Sequence, residues 1–392
     1  MIFHIDVNSA FLSWSAVYNL KNGKKIDLRT VPSVIGGDSA KRHGIVVAKS
    51  IPAKKFNIKT GDTISMVLQK CPNIIIEPPI HKIYNEYSKK FIAFVKHYFD
   101  IVEQASIDEC YVDVPYISKE EAKKIAIFIK DKIKHELYFS VNVGISDKKV
   151  LAKMASDMEK PDKVHTLFSD EIKEKMWPLP IERLYMSGKK SSSYLRNMGI
   201  NTIGALALSD ESIIESHLKS HGKLLYKYAN GIDTDKLIIK KEDPKGIGNS
   251  KTAPVDITSF ADASIFLKEL SITVSNRLKK DKVKGKTVLV EVKFSNFIKT
   301  THQAMLDKHI FDANDIFDEA KKLLKYIMEH NKGMNIRLIG VRVLDLSNEN
   351  EKVPYQMSIF DIKPESKKDK ELKKTMKHIN DKYGLGTIHK GI

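Results

Sequence analysis

Apolar residues recur at three- and four-residue spacing through Ile83, Tyr87, Phe91, Phe94 and Tyr98, the stripe of one long helix. What surrounds this helix constrains the fold more than any other feature of the chain. MIFHIDV (1–7) reads as a strand before it, and IVEQAS (101–106) and CYVDV (110–114) read as two closely paired strands after it. A Lys-rich amphipathic helix over about 119–136 and the strand SVNVGIS (140–146) complete the run. Leaving out residues 10–73, the order is β, long helix, β, β, helix, β, which predicts a split βαβ, ferredoxin-like sheet with 10–73 as an insertion.

Within the insertion, Asn8 and Ser9 are read as caps of a helix that carries Phe11, Trp14, Val17 and Tyr18 on one face. Strands are expected at 32–36, 44–48 and 73–77, and a helix at about 147–158 carries Val150, Leu151, Met154 and Met158. Residues 170–232 read as helical, with glycine turns at Gly188, Gly199, Gly204 and Gly222. The charged stretch 233–250 is broken by Pro244, Gly246 and Gly248 and reads as a linker. A second α+β unit is expected from near Ala253 to Leu346, with helices at 262–280 and 312–330 and strands at 286–294 and 335–344. The Lys-rich residues beyond it lose periodicity and read as a tail.

With 392 residues, 42% of them hydrophobic, the chain can bury several cores. Its 66 Lys and Arg against 49 Asp and Glu give a net charge of +17 and favour a polyanionic partner. Basicity alone is equally compatible with an uninvolved surface. Cys71 and Cys110 are the only cysteines, too few for a disulfide framework or a zinc site. No apolar run reaches the roughly 18 residues of a membrane span, and the first residues read as a strand, not a signal peptide. The expectation is a cytoplasmic protein.

Three carboxylates stand out. Asp6 ends the first strand, and Asp108 with Glu109 lies at the turn between the paired strands. The first strand and the central hairpin are neighbours in a split βαβ sheet, so the three can converge. Hard oxygen donors of this kind suit Mg²⁺, and two such ions can stabilise the attacking and leaving oxygens of an in-line displacement. Adjacent strand residues point to opposite faces, so Asp108 and Glu109 share a site only where the backbone bends. Spacing alone leaves ordinary exposed turn acids as an alternative.

HIDVNSAF (4–11), SIDECYVDV (106–114) and VGISDKKVLAKMASDMEKP (143–161) together resemble the Y-family DNA polymerases, the DinB/UmuC class, in order and spacing, over roughly residues 1–360. The resemblance implies a multidomain α+β protein: a ferredoxin-like palm (1–9 and 74–165), fingers (10–73) and a helical thumb (166–232). It further implies a linker (233–250), a separate α+β little finger (251–346) and a tail (347–392). It implies a DNA polymerase IV-like, error-prone translesion enzyme that joins a deoxynucleoside triphosphate to a primer 3′-hydroxyl with two Mg²⁺ ions.

By the same resemblance Asp6, Asp108 and Glu109 are the catalytic, metal-binding carboxylates, with the Val7 carbonyl as a further ligand. Phe11 falls at the steric gate against a ribose 2′-hydroxyl, and Lys153 at the lysine that meets the triphosphate. Where the family places a Tyr and an Arg on the triphosphate, this chain has Ile51 and Lys54, so Ser50 or Lys49 is a candidate to compensate. LYMSGKKSSSYLRNMGINTIGAL (184–206) resembles a worn helix-hairpin-helix, placing Gly188 and Lys189 at a DNA phosphate. Lys251, Lys284, Lys286, Lys293 and Lys299 are candidate phosphate contacts of the little finger. QMSIF (356–360) resembles the clamp-binding motif of bacterial replication proteins, with Gln356, Met357, Ile359 and Phe360 as anchors.

The expected partners are primer-template DNA, a deoxynucleoside triphosphate and a sliding clamp, with the chain itself a monomer and no membrane involved. A catalytically silent paralogue that binds DNA and clamp is the rival. A nucleotide cyclase on the same sheet fits the charge and the hairpin less well.

Overall fold

The computed structural model describes residues 1–37, 44–234, 236–238, 243–348, 367–384 and 388. The chain divides into two compact units, Met1–Asp243 and Pro244–Ile392.

In the first unit, β1 (Ile2–Val7) runs into α1 (Ala10–Lys21). β2 (Ser33–Gly36), β3 (Val46–Lys49), α2 (Ile51–Lys54), α3 (Ile64–Lys70) and β4 (Ile75–Glu77) follow. Next come α4 (His81–Tyr98), β5 (Ile101–Gln104), β6 (Glu109–Asp113), α5 (Lys119–Leu137), β7 (Val141–Ser146), α6 (Lys149–Ser156) and β8 (Val164–Thr166). The main sheet has the order β5-β6-β1-β7-β8. Its first four strands are arranged as the split βαβ reading requires, and β8 is added in parallel beside β7.

Alternation decides what each face of β1 meets. Phe3, Ile5 and Val7 are buried in one core with Ile83, Tyr87, Phe91 and Val95 of α4 and Ala122, Ala126, Ile129 and Ile133 of α5. A capping box starts α5: Ser118 Oγ accepts from Glu121 N–H while the Glu121 carboxylate accepts from Ser118 N–H. His4 and Asp6 turn to the opposite face, where α6 packs on β1 and β7. Gly144 makes that close approach possible, since an added Cβ would lie 2.0 Å from Ala152 O and 2.4 Å from Ser156 N.

α1 differs from expectation at both ends of its apolar face. Ser9 adopts a left-handed backbone (φ 47°) and its side chain makes no cap bond, whereas Tyr18 is exposed. Trp14 and Val17 join the core under the main sheet, while Leu12 and Ala16 pack with Ile35 and Ala48. β4 pairs in parallel with β2 in a separate three-stranded sheet of order β3-β2-β4.

The rest of this unit is helical: α7 (Ile172–Lys175), α8 (Lys189–Asn197), α9 (Ile203–Ala207) and α10 (Glu211–Ala229). Gly199 ends α8 with φ 83° as expected of a turn. Gly204 lies inside α9 and Gly222 in the second part of α10, whose turn falls three residues earlier, at Lys219 (φ 56°); each glycine is hard against a neighbour (Trp177 Cβ and Ile214 O respectively).

The second unit holds β9 (Gly246–Ile257), α11 (Phe260–Asp281), β10 (Val283–Phe294), β11 (Lys299–Ile310), α12 (Ala313–His330) and β12 (Ile336–Asn348). Its sheet has the order β11-β10-β12-β9, and both long helices bury their stripes against it. Two strands were not expected from sequence. β9 begins inside the stretch read as a linker, its glycines letting it lie against β12, and β11 (KTTHQAMLDKHI) is a polar edge strand with little apolar alternation. Within the stretch read as a tail, α13 (Lys367–Tyr383) is helical.

Candidate active site

Asp6 and Glu109 are directly opposed residues of the antiparallel β1–β6 pair. Opposed residues project to the same face, so register alone brings these two carboxylates together across 103 positions of sequence. Asp108 precedes β6 in a tight turn, where Ala105 N–H (3.1 Å) and Ser106 N–H (3.2 Å) both donate to Glu109 O. This is the bend that adjacent acids need. Val7 N–H donates to Asp108 O at 3.0 Å, and Ser106 Oγ donates to Asp108 Oδ1 at 2.7 Å. Ser106, to which sequence gave no role, therefore orients Asp108. Burial raises the Asp108 pKa, and the nearby charges of Asp6 and Glu109 raise it further.

α6 brings the counter-charge. Lys153 Nζ lies 2.5 Å from Glu109 Oε2, 3.2 Å from Asp6 Oδ2 and 3.7 Å from Asp157 Oδ2. Lys160 Nζ lies 2.9 Å from Asp6 Oδ2 and 2.7 Å from Asp157 Oδ1. Burial works against both ammonium charges, but Asp6 and its neighbours overcome it and hold both pKa values above the ordinary lysine range. Lys160 was not singled out from sequence; the signal available was its place seven residues after Lys153, next to Pro161. The N-terminus of α6 is fixed from far away, because Val150 N–H donates to Asp233 Oδ2 at 2.8 Å. Nearby, Glu103 accepts from Ile238 N–H and from Lys149 Nζ.

The other expected residues scatter as their elements do. Phe11 is half-buried and stacks on Tyr84 with ring centroids 4.3 Å apart and planes 6° from parallel. At α2, Ile51 and Lys54 are exposed. Ser50 is not free to replace the missing hydroxyl: its buried Oγ caps α2 at Ala53 N–H, donates to Val31 O and accepts from Ser33 N–H. Lys49 remains, its pKa lowered by burial and by the Lys54 charge. Gly188 is the N-cap of α8 with Lys189 following, and an added Cβ at Gly188 meets open space. In the second unit, Lys251 is paired with Glu269 (2.6 Å) and Lys299 with Glu291 (2.6 Å), while Lys293 lies over the Phe297 ring. Gln356, Met357, Ile359 and Phe360 lie outside the described residues.

The donor set fits a divalent cation. Among the described residues one group has ligand atoms all within 4.8 Å of one another: His4, Asp6 and Glu109. Among the described residues no helix is long and apolar enough to cross a membrane.

The impB/mucB/samB family matches over residues 5–157, and that family's C-terminal domain matches over residues 244–359. DNA polymerase IV of Clostridium acetobutylicum is 40% identical over 393 residues, covering 100% of this chain and 98% of that protein. DNA polymerase IV 1 of Bacillus subtilis is 32% identical, covering 100% and 92%. Among solved structures, a Y-family DNA polymerase chimera matches with a TM-score of 0.77 at 22% identity, covering 88% of this chain and 98% of that one.

Proposed function

The chain belongs to the impB/mucB/samB family of Y-family DNA polymerases, and on that premise we propose that it extends a primer by two-metal-ion nucleotidyl transfer at Asp6, Asp108 and Glu109. It is a DNA-directed DNA polymerase of the translesion kind, with primer-template DNA and deoxynucleoside triphosphates as substrates. The observation that carries the site is the β1–β6 register, which sets Asp6 and Glu109 face to face beside Asp108.

When bound at these carboxylates, Mg²⁺ would polarise the phosphoryl oxygens and stabilise charge on the attacking and leaving oxygens. The chain's own residues position and neutralise. Ser106 fixes the Asp108 carboxylate, the Val7 carbonyl is a further candidate ligand, and Lys153 supplies a cation to the leaving pyrophosphate. Phe11, braced by Tyr84, excludes a 2′-hydroxyl by close packing. Lys54 and Lys49 replace the bidentate fork of an arginine with point charges at the triphosphate.

The main sheet and its helices serve as the palm (1–9 and 74–165, except that β4 lies in the small sheet), the small sheet with α2 and α3 as fingers (10–73, with β4 added), and the helices of 166–232 as the thumb. The second unit serves as the little finger (251–346) on duplex DNA, where Lys293 and Lys251 are contacts to phosphate, and in the first unit Gly188 and Lys189 at the start of α8 are contacts to phosphate as well. Residues 356–360 dock on a sliding clamp.

Primer-template extension with Mg²⁺ and four deoxynucleotides, on intact and damaged templates, tests this. Asp108→Ala should abolish extension while DNA binding persists; full activity in that variant would overturn the site. A wild-type chain that binds DNA without extending it would be the silent paralogue instead.

A further inference from the structure

His4 is fully buried on β1, two residues before Asp6, so both side chains project from the same face of the sheet. Its ring is pinned from two sides. The Tyr111 ring lies 4.6 Å away, and Nδ1 is 2.8 Å from Ser156 Oγ. That hydroxyl also lies 2.8 Å from Lys153 O, to which it donates, and on this geometry we assign the imidazole proton to Nδ1, which donates to the hydroxyl. In that tautomer Nε2 is a bare lone pair, a buried nitrogen that cannot donate to the carboxylate beside it. It points into the carboxylate pair, 3.3 Å from Glu109 Oε2.

A lone pair held against two carboxylates is a repulsive arrangement unless a cation is shared among them. The nearest cation is the Lys153 ammonium, which bonds Asp6 and Glu109 and belongs to the same face. A histidine whose far nitrogen donates to a fixed acceptor, with its near nitrogen aimed at a site, has the usual orientation of a metal-ligating imidazole.

We infer that His4 Nε2 is a third ligand, with Asp6 and Glu109, for a divalent transition-metal ion that takes the position of the Lys153 ammonium. Two carboxylates and one imidazole bind Co²⁺ or Zn²⁺ better than an all-oxygen set does, because nitrogen is the softer donor; Mn²⁺ accepts the same mixed set and serves as its paramagnetic probe, whereas Mg²⁺ gains little from the nitrogen. The palm therefore distinguishes metals through a residue outside the carboxylate set. This inference rests on the proposed reading of Asp6 and Glu109 as metal ligands.

Pulsed electron paramagnetic resonance of the full chain loaded with Mn²⁺, without DNA or nucleotide, tests it. The expected result is modulation from a directly bound ¹⁴N that changes when the histidines are ¹⁵N-labelled. His4→Gln should remove it and weaken Mn²⁺ binding about tenfold or more, with Mg²⁺ affinity little changed. The labelling experiment needs no variant, so a poorly folded His4→Gln protein leaves the answer intact. Mn²⁺ that binds without nitrogen coupling, and is lost in Asp6→Asn/Glu109→Gln, overturns the role of His4 and leaves the carboxylate reading standing. Mn²⁺ binding unchanged in that double variant overturns both.

Discussion

Lys153 Nζ sits 2.5 Å from Glu109 Oε2 while also reaching Asp6, so one ammonium neutralises two carboxylates that the sheet forces together. Removing one partner of a mostly buried charge cluster costs several kcal/mol, since the remaining charges are left uncompensated. Lys153→Met should therefore lower the unfolding free energy by roughly 3 kcal/mol in the absence of divalent ions. Added Mg²⁺ should raise the melting temperature of this variant more than that of the wild type, because the ion restores the missing charge. Differential scanning calorimetry with and without Mg²⁺ checks this, and equal shifts would count against the shared-cation view. Primer extension by the same variant should fall at least about tenfold.

Phe11 is held flat against Tyr84 and cannot swing aside without losing that stack. Phe11→Ala should raise ribonucleotide incorporation relative to deoxyribonucleotide by about tenfold or more while extension with deoxynucleotides continues. Single-nucleotide kinetics with paired ribo- and deoxyribonucleotides measure it. Unchanged sugar discrimination would refute the gate.

Gly144 is where α6 crosses β7, and a methyl group there collides with backbone atoms of Ala152 and Ser156. Gly144→Ala should destabilise the first unit by at least about 3 kcal/mol, since backbone cannot yield as a side-chain tip does. Because α6 carries Lys153, residual folded protein should also lose activity. Urea denaturation with extension assays at matched folded fractions separates the two effects.

Asp162 joins Lys134 (2.6 Å) and Lys130 (3.1 Å) of α5, and its backbone N–H donates to Asn8 Oδ1. Burial works against its charge, but the two lysines overcome this and lower its pKa below the ordinary 3.8. A carboxylate with a depressed folded pKa stabilises the fold above its unfolded value and loses that contribution as pH falls through its folded value. Asp162→Asn should therefore melt lower than wild type at pH 6, and the gap should close below about pH 4. Melting curves between pH 3 and pH 6 test this; a gap that widens with acid would be the wrong sign.

Deleting residues 356–360 should abolish any stimulation of extension by a bacterial sliding clamp and leave clamp-free extension unaltered. Running-start assays with and without clamp read both quantities.

The main sheet was legible because its cues are local. Period-two alternation in β1, the stripe of α4 and the capping box of α5 each lie within a single element, and their order already implied the strand arrangement. β11 was not legible for the opposite reason. As an edge strand of alternating Thr, His, Gln and Lys it buries little and offers no apolar period. β9 was hidden by its glycines, which in sequence punctuate a linker and in the sheet allow close pairing with β12.

At the site, the three carboxylates could be nominated from the chain, together with Phe11 and Lys153, because they stand in recognisable local settings. The meeting of Asp6 with Glu109 was decided by register: a slip of one residue between β1 and β6 would turn Glu109 to the opposite face from Asp6. His4 and Asp233 carried no local signal, and Lys160 only its place seven residues after Lys153, next to Pro161. Each acquires its role from a partner far away in sequence, His4 through Ser156, Lys160 through Asp6, and Asp233 through the first turn of α6. Periodicity tells a residue which way it faces, but only the packed fold determines what it faces.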